Sequence, residues 1–217
     1  MLCRIKIKKM NIIVFGATGT VGTEIVKQAL EKGYDVTAFL RNPEKMTSLN
    51  HPNLRVYTGD VTNAEEVKNA VKNHDAVFCA LGDGRIGKIR ALGTLNIVHA
   101  MNSVSVRKLI CLSTLGIGDS YGNLNFIWKH IMFGMLLKKA FNDHKLQEEY
   151  IRNSDLDYTI VRPSALTDGA ITRGYAIGFD EKYKKLNLKI SRADVADFML
   201  RQLHRDDYLK KAVSISN

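Results

Sequence analysis

Residues 12–22 read IIVFGATGTVG, and this stretch limits what the chain can fold into more than any other. Four apolar residues, Ile12, Ile13, Val14 and Phe15, run without a polar break into glycines at Gly16, Gly19 and Gly22. An amphipathic segment, residues 24–32, follows. A short apolar run reads as a buried strand, and strand, glycine turn, helix is the context in which such a glycine triplet gains meaning. Gly16 is expected to permit the tight turn out of the strand. Gly19 is expected to let backbone approach a pyrophosphate, and Gly22 to let the helix pack closely. The first helical turn then offers free N–H groups, with Val21 in that cradle and hydroxyls from Thr18 and Thr20. The competing reading is a glycine-rich turn with no ligand.

Strand and helix patterns alternate along the rest of the chain. Residues 35–40 (DVTAFL), 54–58, 75–81 (DAVFCAL), 108–112 (KLICL) and 158–161 read as strands two to six, with a short strand at 213–215. Residues 64–71 and 89–101 read as helices, a third begins at His144, and a last one opens at Ser191 as N-cap. This predicts an α/β, Rossmann-type, doubly wound parallel sheet of order 3-2-1-4-5-6 with a small substrate-side elaboration. Residues 10–217 form one domain in this reading, preceded by a basic tail, residues 1–9.

In such a sheet, ligands lie at the carboxyl ends of the strands. Arg41 ends the second strand, and no Asp or Glu occurs at positions 39–43. An acidic residue there would hold the ribose hydroxyls of NAD, whereas Arg41, with Lys45 four residues on, suits a 2′-phosphate. NADP is therefore the expected cofactor, NADPH preferred over NADH; the alternative is an ordinary exposed arginine. Asp60 and Val61 follow strand three, where the carboxylate can accept from the adenine amino group and the valine can pack on the ring. Leu81 and Gly82 end strand four, a second place for backbone to lie against the cofactor. Ser113 and Thr114 end strand five, near the nicotinamide or simply as turn formers. Residues 126–137 are apolar nearly all round. They read as a helix that is buried, walls a flat apolar pocket through Trp128 and Met132, or meets a partner.

The net charge is +10, but Arg4, Lys6, Lys8 and Lys9 carry four of those charges. The rest are scattered, as at Lys138–Lys139, Lys184–Lys185 and Lys210–Lys211, without the clustered stripe of a nucleic-acid surface. The three cysteines, Cys3, Cys79 and Cys111, include no C-x-x-C pair, so no metal centre or disulfide framework is expected. No apolar run reaches membrane-spanning length and no signal-peptide core is present. A cytoplasmic protein with neither nucleic acid nor membrane as partner is expected, monomer or dimer.

GATGTVG at 16–22, Arg41, Gly59-Asp60-Val61, Ser113-Thr114, Asp143-His144 and TIVRPSALTDG at 159–169 resemble the atypical short-chain dehydrogenase/reductases of the NmrA-like superfamily. Within these, the closest resemblance is to the NAD(P)H-binding proteins similar to biliverdin reductase B, also called flavin reductase. It covers the chain after Met10. The usual reductase of this kind carries Tyr-x-x-x-Lys as proton donor and pKa-lowering partner. No tyrosine here has Lys four residues on. The resemblance implies hydride delivery to a planar, electron-poor acceptor, a flavin or a linear tetrapyrrole, which needs stacking more than a dedicated acid. It implies catalytic positions at Thr114, beside the nicotinamide, and at His144, although His144 reads equally as an exposed helix-start residue. It places Pro163, Ser164 and Leu166 at the cofactor and Ala165 at the substrate. Relatives carry a histidine at position 165 and this chain does not, which weakens the tetrapyrrole reading more than hydride transfer. Two other classes stand beside this one. One is a non-catalytic NAD(P)-binding redox sensor acting through a protein partner at 126–137. The other is a sugar-nucleotide epimerase-like enzyme, disfavoured by the missing Tyr-Lys pair.

Overall fold

The computed structural model describes residues 9–84, 86–180, 182–183 and 186–217. The expected basic tail up to Lys8, and the pair Lys184–Lys185, lie outside the described residues. Lys9 does not hang free: its Nζ is 2.6 Å from the Asp35 carboxylate at the start of the second strand.

Among the described residues ten strands form two sheets. The strands are β1 (Asn11–Phe15), β2 (Asp35–Leu40), β3 (Leu54–Thr58), β4 (Ala76–Cys79), β5 (Lys108–Leu112), β6 (Asp157–Pro163), β7 (Ala165–Thr167), β8 (Ala176–Ile177), β9 (Lys189–Ser191) and β10 (Lys211–Ser216). The main sheet runs β3-β2-β1-β4-β5-β6-β10-β8. All of its pairings are parallel except β10 with β8. This is the 3-2-1-4-5-6 order of the sequence reading, extended at one edge. The strand expected at 213–215 is six residues long and pairs with β6 from Lys211↔Thr159 to Ile215↔Pro163. A separate parallel pair, β7 with β9, is the elaboration beside the ligand end of β6.

The unbroken apolar run of β1 follows from burial on both faces. Ile12 and Val14 pack with Ile25 and Val26 of α1 (Thr20–Glu31) and with Val195 and Met199 of α5 (Arg192–Arg201). Ile13 and Phe15 face the other layer, against Val67 of α2 (Ala64–Val71), Ile97 of α3 (Ile89–Ser103) and Ile151 of α4 (Lys138–Arg152). Each such side chain contributes about 1.5–3 kcal/mol on burial.

Two expectations change. Helix α4 starts at Lys138, six residues earlier than the sequence pattern suggests, so His144 sits within the helix and is not a helix-start residue. Residues Ile127–Leu136 are wound as a π-helix, with the Leu137 amide donating to the Met132 carbonyl at 2.7 Å. Of the three roles expected for this segment, full burial is the one that the structure does not show. Phe133 is buried, but Phe126, Ile127, Ile131, Met135 and Leu136 are exposed. The wider winding divides the apolar residues between an inner and an outer face.

Candidate functional site

A cleft of about 830 Å³ opens at the carboxyl ends of β1, β2, β4, β5 and β6. Its floor begins at the glycine turn. Gly16 has φ +80°, and a Cβ there would stand 2.3 Å from the Ala80 carbonyl of the adjacent strand end. A Cβ at Gly22 would stand 2.1 Å from the Gly16 carbonyl, so the close approach is of helix to turn more than of helix to strand. Gly19, Thr18, Thr20 and Val21 line the cleft.

The helices differ in how their N-termini are satisfied, and α4, which has no side-chain cap either, follows directly on the π-helix with the Phe141 amide donating to the Leu137 carbonyl at 2.8 Å. α2 is capped by Asn63, whose side chain accepts from the Glu65 and Glu66 amides. α5 is capped by Ser191. α3 has no cap from its own Lys88, but Asp83 accepts from the Lys88 amide at 2.8 Å and Asp143 accepts from the Arg90 and Ala91 amides at 3.0 Å. α1, whose N-cap is Gly19, has no side-chain cap. Its first-turn amides are left to the cleft, a ready site for an anion.

Arg41 and Lys45 line the same end, and among the described residues neither is held in an ion pair. Asp60 and Val61 also line the cleft. The Asp60 carboxylate accepts from the amide and hydroxyl of Thr62 at 2.9 and 2.8 Å, which holds its pKa below the ordinary value.

Leu81, Gly82, Ser113, Thr114, Pro163, Ser164, Ala165 and Leu166 carry the wall onward. The Ser113 hydroxyl is committed elsewhere: it is buried and donates to Glu148 Oε1 at 2.7 Å. Thr114, half-buried, carries the other hydroxyl at that strand end, 3.4 Å from the Leu115 carbonyl oxygen to which it donates. Ser164 Oγ is buried with no hydrogen-bond partner among the described residues.

Leu124, Trp128, Phe133 and Leu137 make an apolar wall, with Trp128 and Phe133 ring centroids 5.4 Å apart. Met132 does not line the cleft; Phe133 takes that place. In an α-helix, residues five apart point to different sides, but i→i+5 winding brings positions 128, 133 and 137 to one face.

His144 and Arg90 close the far side. Arg90 is buried, its Nη1 is 2.7 Å from Asp83, and its Nε has no hydrogen-bond partner among the described residues. Nothing in the sequence marked Arg90, because a lone arginine in a first helical turn reads as solvated. Only the fold brings Asp143 to it.

His144 Nδ1 lies 3.1 Å from Gln147 Oε1. The Gln147 amide nitrogen donates to Thr94 Oγ1 at 3.0 Å, so its oxygen is left to accept from Nδ1–H. That tautomer leaves Nε2 as an acceptor. Burial, then the positive charge of Arg90, pushes the His144 pKa down to about 3. His144 is thus neutral near pH 7, and a dedicated acid is not what this position offers. The unfolded chain binds a proton here that the folded chain refuses. This residue's contribution to stability is therefore full above the ordinary histidine pKa and declines as pH falls from there towards 3. We expect nitrogen-15 NMR to show no His144 titration between about pH 5 and 8, the window of an ordinary histidine. A midpoint near 6.5 would refute the neutral assignment.

Among the described residues no cluster of three or more His, Cys, Asp or Glu could hold a metal ion.

Comparisons with known proteins bear on the family and the fold. An uncharacterized chloroplastic protein of Arabidopsis thaliana is 33% identical over 224 residues, covering 96% of this chain and 77% of its own. A photosystem II assembly factor of Guillardia theta is 27% identical over 95% of this chain, which spans 64% of that protein's length. A Lactococcus lactis oxidoreductase superposes with a TM-score of 0.79 at 27% identity, over 96% of this chain and 91% of that one. An anaerobilin reductase of Escherichia coli O157:H7 gives 0.79 at 24% identity, over 94% and 96% of the two chains. A Veillonella parvula short-chain dehydrogenase/reductase in complex with NADP gives 0.78 at 21%, over 96% and 94%. At the last two identities the likeness is one of fold. The NAD(P)H-binding family model matches residues 16–206, so the chain belongs to the NAD(P)H-binding family and shares the fold of the short-chain dehydrogenase/reductases.

Proposed function

We propose that the cleft binds NADPH and serves reduction of a flat conjugated acceptor of the flavin or linear tetrapyrrole type. The observation that carries the cofactor half is the uncapped N-terminus of α1 beside Arg41 and Lys45. In this reading the Gly19, Thr20 and Val21 backbone holds the pyrophosphate, with Thr18 beside it. Arg41 and Lys45 hold the 2′-phosphate, and Asp60 and Val61 flank the adenine. Leu81, Gly82, Pro163, Ser164 and Leu166 lie along the cofactor, and the orphan Ser164 hydroxyl finds a partner there. When bound, the reduced nicotinamide supplies a hydride.

The chain's own residues orient and exclude. Trp128 and Phe133 give a flat acceptor an apolar wall to lie against, with the small side chain of Ala165 in the same cleft. Thr114 positions the reacting ring. His144 accepts a hydrogen bond at Nε2 and gives no proton at neutral pH, so the proton that completes the reduction comes from solvent. This fits the missing Tyr-x-x-x-Lys pair. The test is NADPH oxidation by purified protein with flavins, quinones and biliverdin as acceptors. Oxidation with none of them, despite tight NADPH binding, would reject the reductase reading.

Cofactor choice has its own test. Arg41→Ala is expected to weaken NADPH about 10- to 100-fold, the worth of a charge-assisted contact, and to leave NADH nearly unchanged. Calorimetry giving equal NADPH and NADH affinity in the native protein would refute it.

A second reading, a redox sensor acting through a protein partner, is favoured by one observation: the same segment that walls the cleft exposes Phe126, Ile127 and Met135 outward. A sensor would bind NADPH, turn over no acceptor, and lose its partner when that outer face is changed.

A further inference from the structure

We propose that the outer face of residues 126–139 docks on an anionic lipid surface, setting the mouth of the cleft against the bilayer. The carrying observation is exposed apolar area in one place. Met135 is 75% and Phe126 70% exposed, with Ile127 at 56%, Leu136 at 50% and Ile131 at 43%. The π-winding sends these outward while Trp128, Phe133 and Leu137 face the cleft. A helix that keeps large apolar side chains in water has a partner to cover them.

Charge identifies the partner. From Ser120 to Asn142 the sequence contains no Asp or Glu, but it contains Lys129, Lys138 and Lys139. Lys138 and Lys139 are exposed at the end of the apolar face, and Lys129 lies over the Tyr121 ring, 5.1 Å from its centroid. Apolar residues flanked by lysines, with no acid between, match the boundary between acyl chains and anionic headgroups. A second copy fits less well. Two such faces would bring lysines against lysines in a chain whose net charge is already +10.

No helix among the described residues is long and apolar enough to cross a membrane, but an interfacial helix needs only one apolar face. The proposal departs from the expectation of no membrane partner, which rested on spanning length, by weighing which side chains the fold leaves exposed. The same wall then has two uses: its inner face meets the acceptor and its outer face meets the layer in which a lipophilic acceptor would dissolve. Docking does not depend on the reductase reading, since vesicle binding needs no turnover.

The experiment is sedimentation of the full chain with vesicles of phosphatidylcholine alone or mixed with phosphatidylglycerol. Binding is expected to the mixed vesicles, weakening as salt is raised. Lys138→Glu with Lys139→Glu is expected to weaken it about tenfold or more. Phe126→Asp with Met135→Asp is expected to abolish it while NADPH binding persists; Phe126→Ser with Met135→Ser serves if the charged pair fails to fold. The emission of Trp128, the only tryptophan, should respond to mixed vesicles without any substitution. Absence of vesicle binding, or binding undiminished in a folded Phe126/Met135 variant, overturns the proposal. A concentration-dependent dimer lost in that variant, without vesicle binding, would overturn it by assigning the face to a second copy.

Discussion

Glu148→Ala is expected to cost the fold about 3–5 kcal/mol, the loss typical of a buried ion pair deprived of one partner. Arg162, on β6, is 2% exposed, and Glu148, on α4, is equally buried. The guanidinium grips the carboxylate twice, Nε to Oε1 at 2.9 Å and Nη2 to Oε2 at 2.7 Å. Ser113 donates to Oε1 as well, and Arg152 reaches Oε2 at 3.4 Å. Without Glu148, Arg162 keeps Asp119, whose side chain is 85% exposed. One well-hydrated partner cannot replace a buried bidentate one. The effect extends to the site, because Glu148 anchors the end of β5 just before Thr114. Urea unfolding should show the loss, and the double variant Glu148→Leu with Arg162→Met should recover much of it, since no buried charge remains. A loss below about 1 kcal/mol, the range of an exposed pair, would show that the pair does not clamp α4 to the sheet.

How much of this was legible beforehand depends on the range of the interactions involved. The turn at 16–22, the positions of the first six strands and the cap at Ser191 are local matters. Each rests on a run of apolar residues, a glycine or an N-cap within a few positions, and each was readable from the sequence. β10 was underestimated because Lys211 and Ala212 do not look like strand until β6 lies beside them. The bond of Ser113 to Glu148 is not legible in the sequence, because the two residues lie 35 positions apart. In the 126–137 segment the choice of Met132 fails for a different reason. The segment's composition said apolar, but the division into faces depends on winding, and a 3.6-residue period applied to a π-helix selects Met132 where the fold uses Phe133. In the sequence His144 reads both as a catalytic position and as an exposed helix start, and the second reading fails because α4 begins six residues earlier. With six more residues before it, the side chain lies on the cleft wall, where burial and Arg90 hold it neutral.

The three glycines of the turn are expected to separate under substitution. Gly22→Val should leave little folded protein. Its Cβ would stand 2.1 Å from the Gly16 carbonyl oxygen and 2.8 Å from the carbonyl carbon, a clash of backbone with backbone that no rotamer relieves. Gly16→Val should do the same, with φ +80° adding a conformation that a β-branched residue rarely adopts. Gly19 differs on both counts. Its φ is −74°, and its Cβ would meet the Gly16 oxygen at 3.1 Å and the Ala80 oxygen at 3.8 Å, so a shift of a few tenths of an ångström relieves it. Valine is a poorer N-cap than glycine, a cost of about 1 kcal/mol. Gly19→Val should therefore fold, with a modestly lower melting temperature. If the uncapped amides of α1 hold a pyrophosphate, that variant should nevertheless lose NADPH affinity by about a hundredfold or more, about 3 kcal/mol, because the added methyls stand where the phosphates approach. Circular dichroism and calorimetry on the same sample decide the matter. A folded Gly19→Val that binds NADPH like the native protein would mean that the open N-terminus of α1 faces water and not a phosphate, and the cofactor assignment would lose the observation on which it stands.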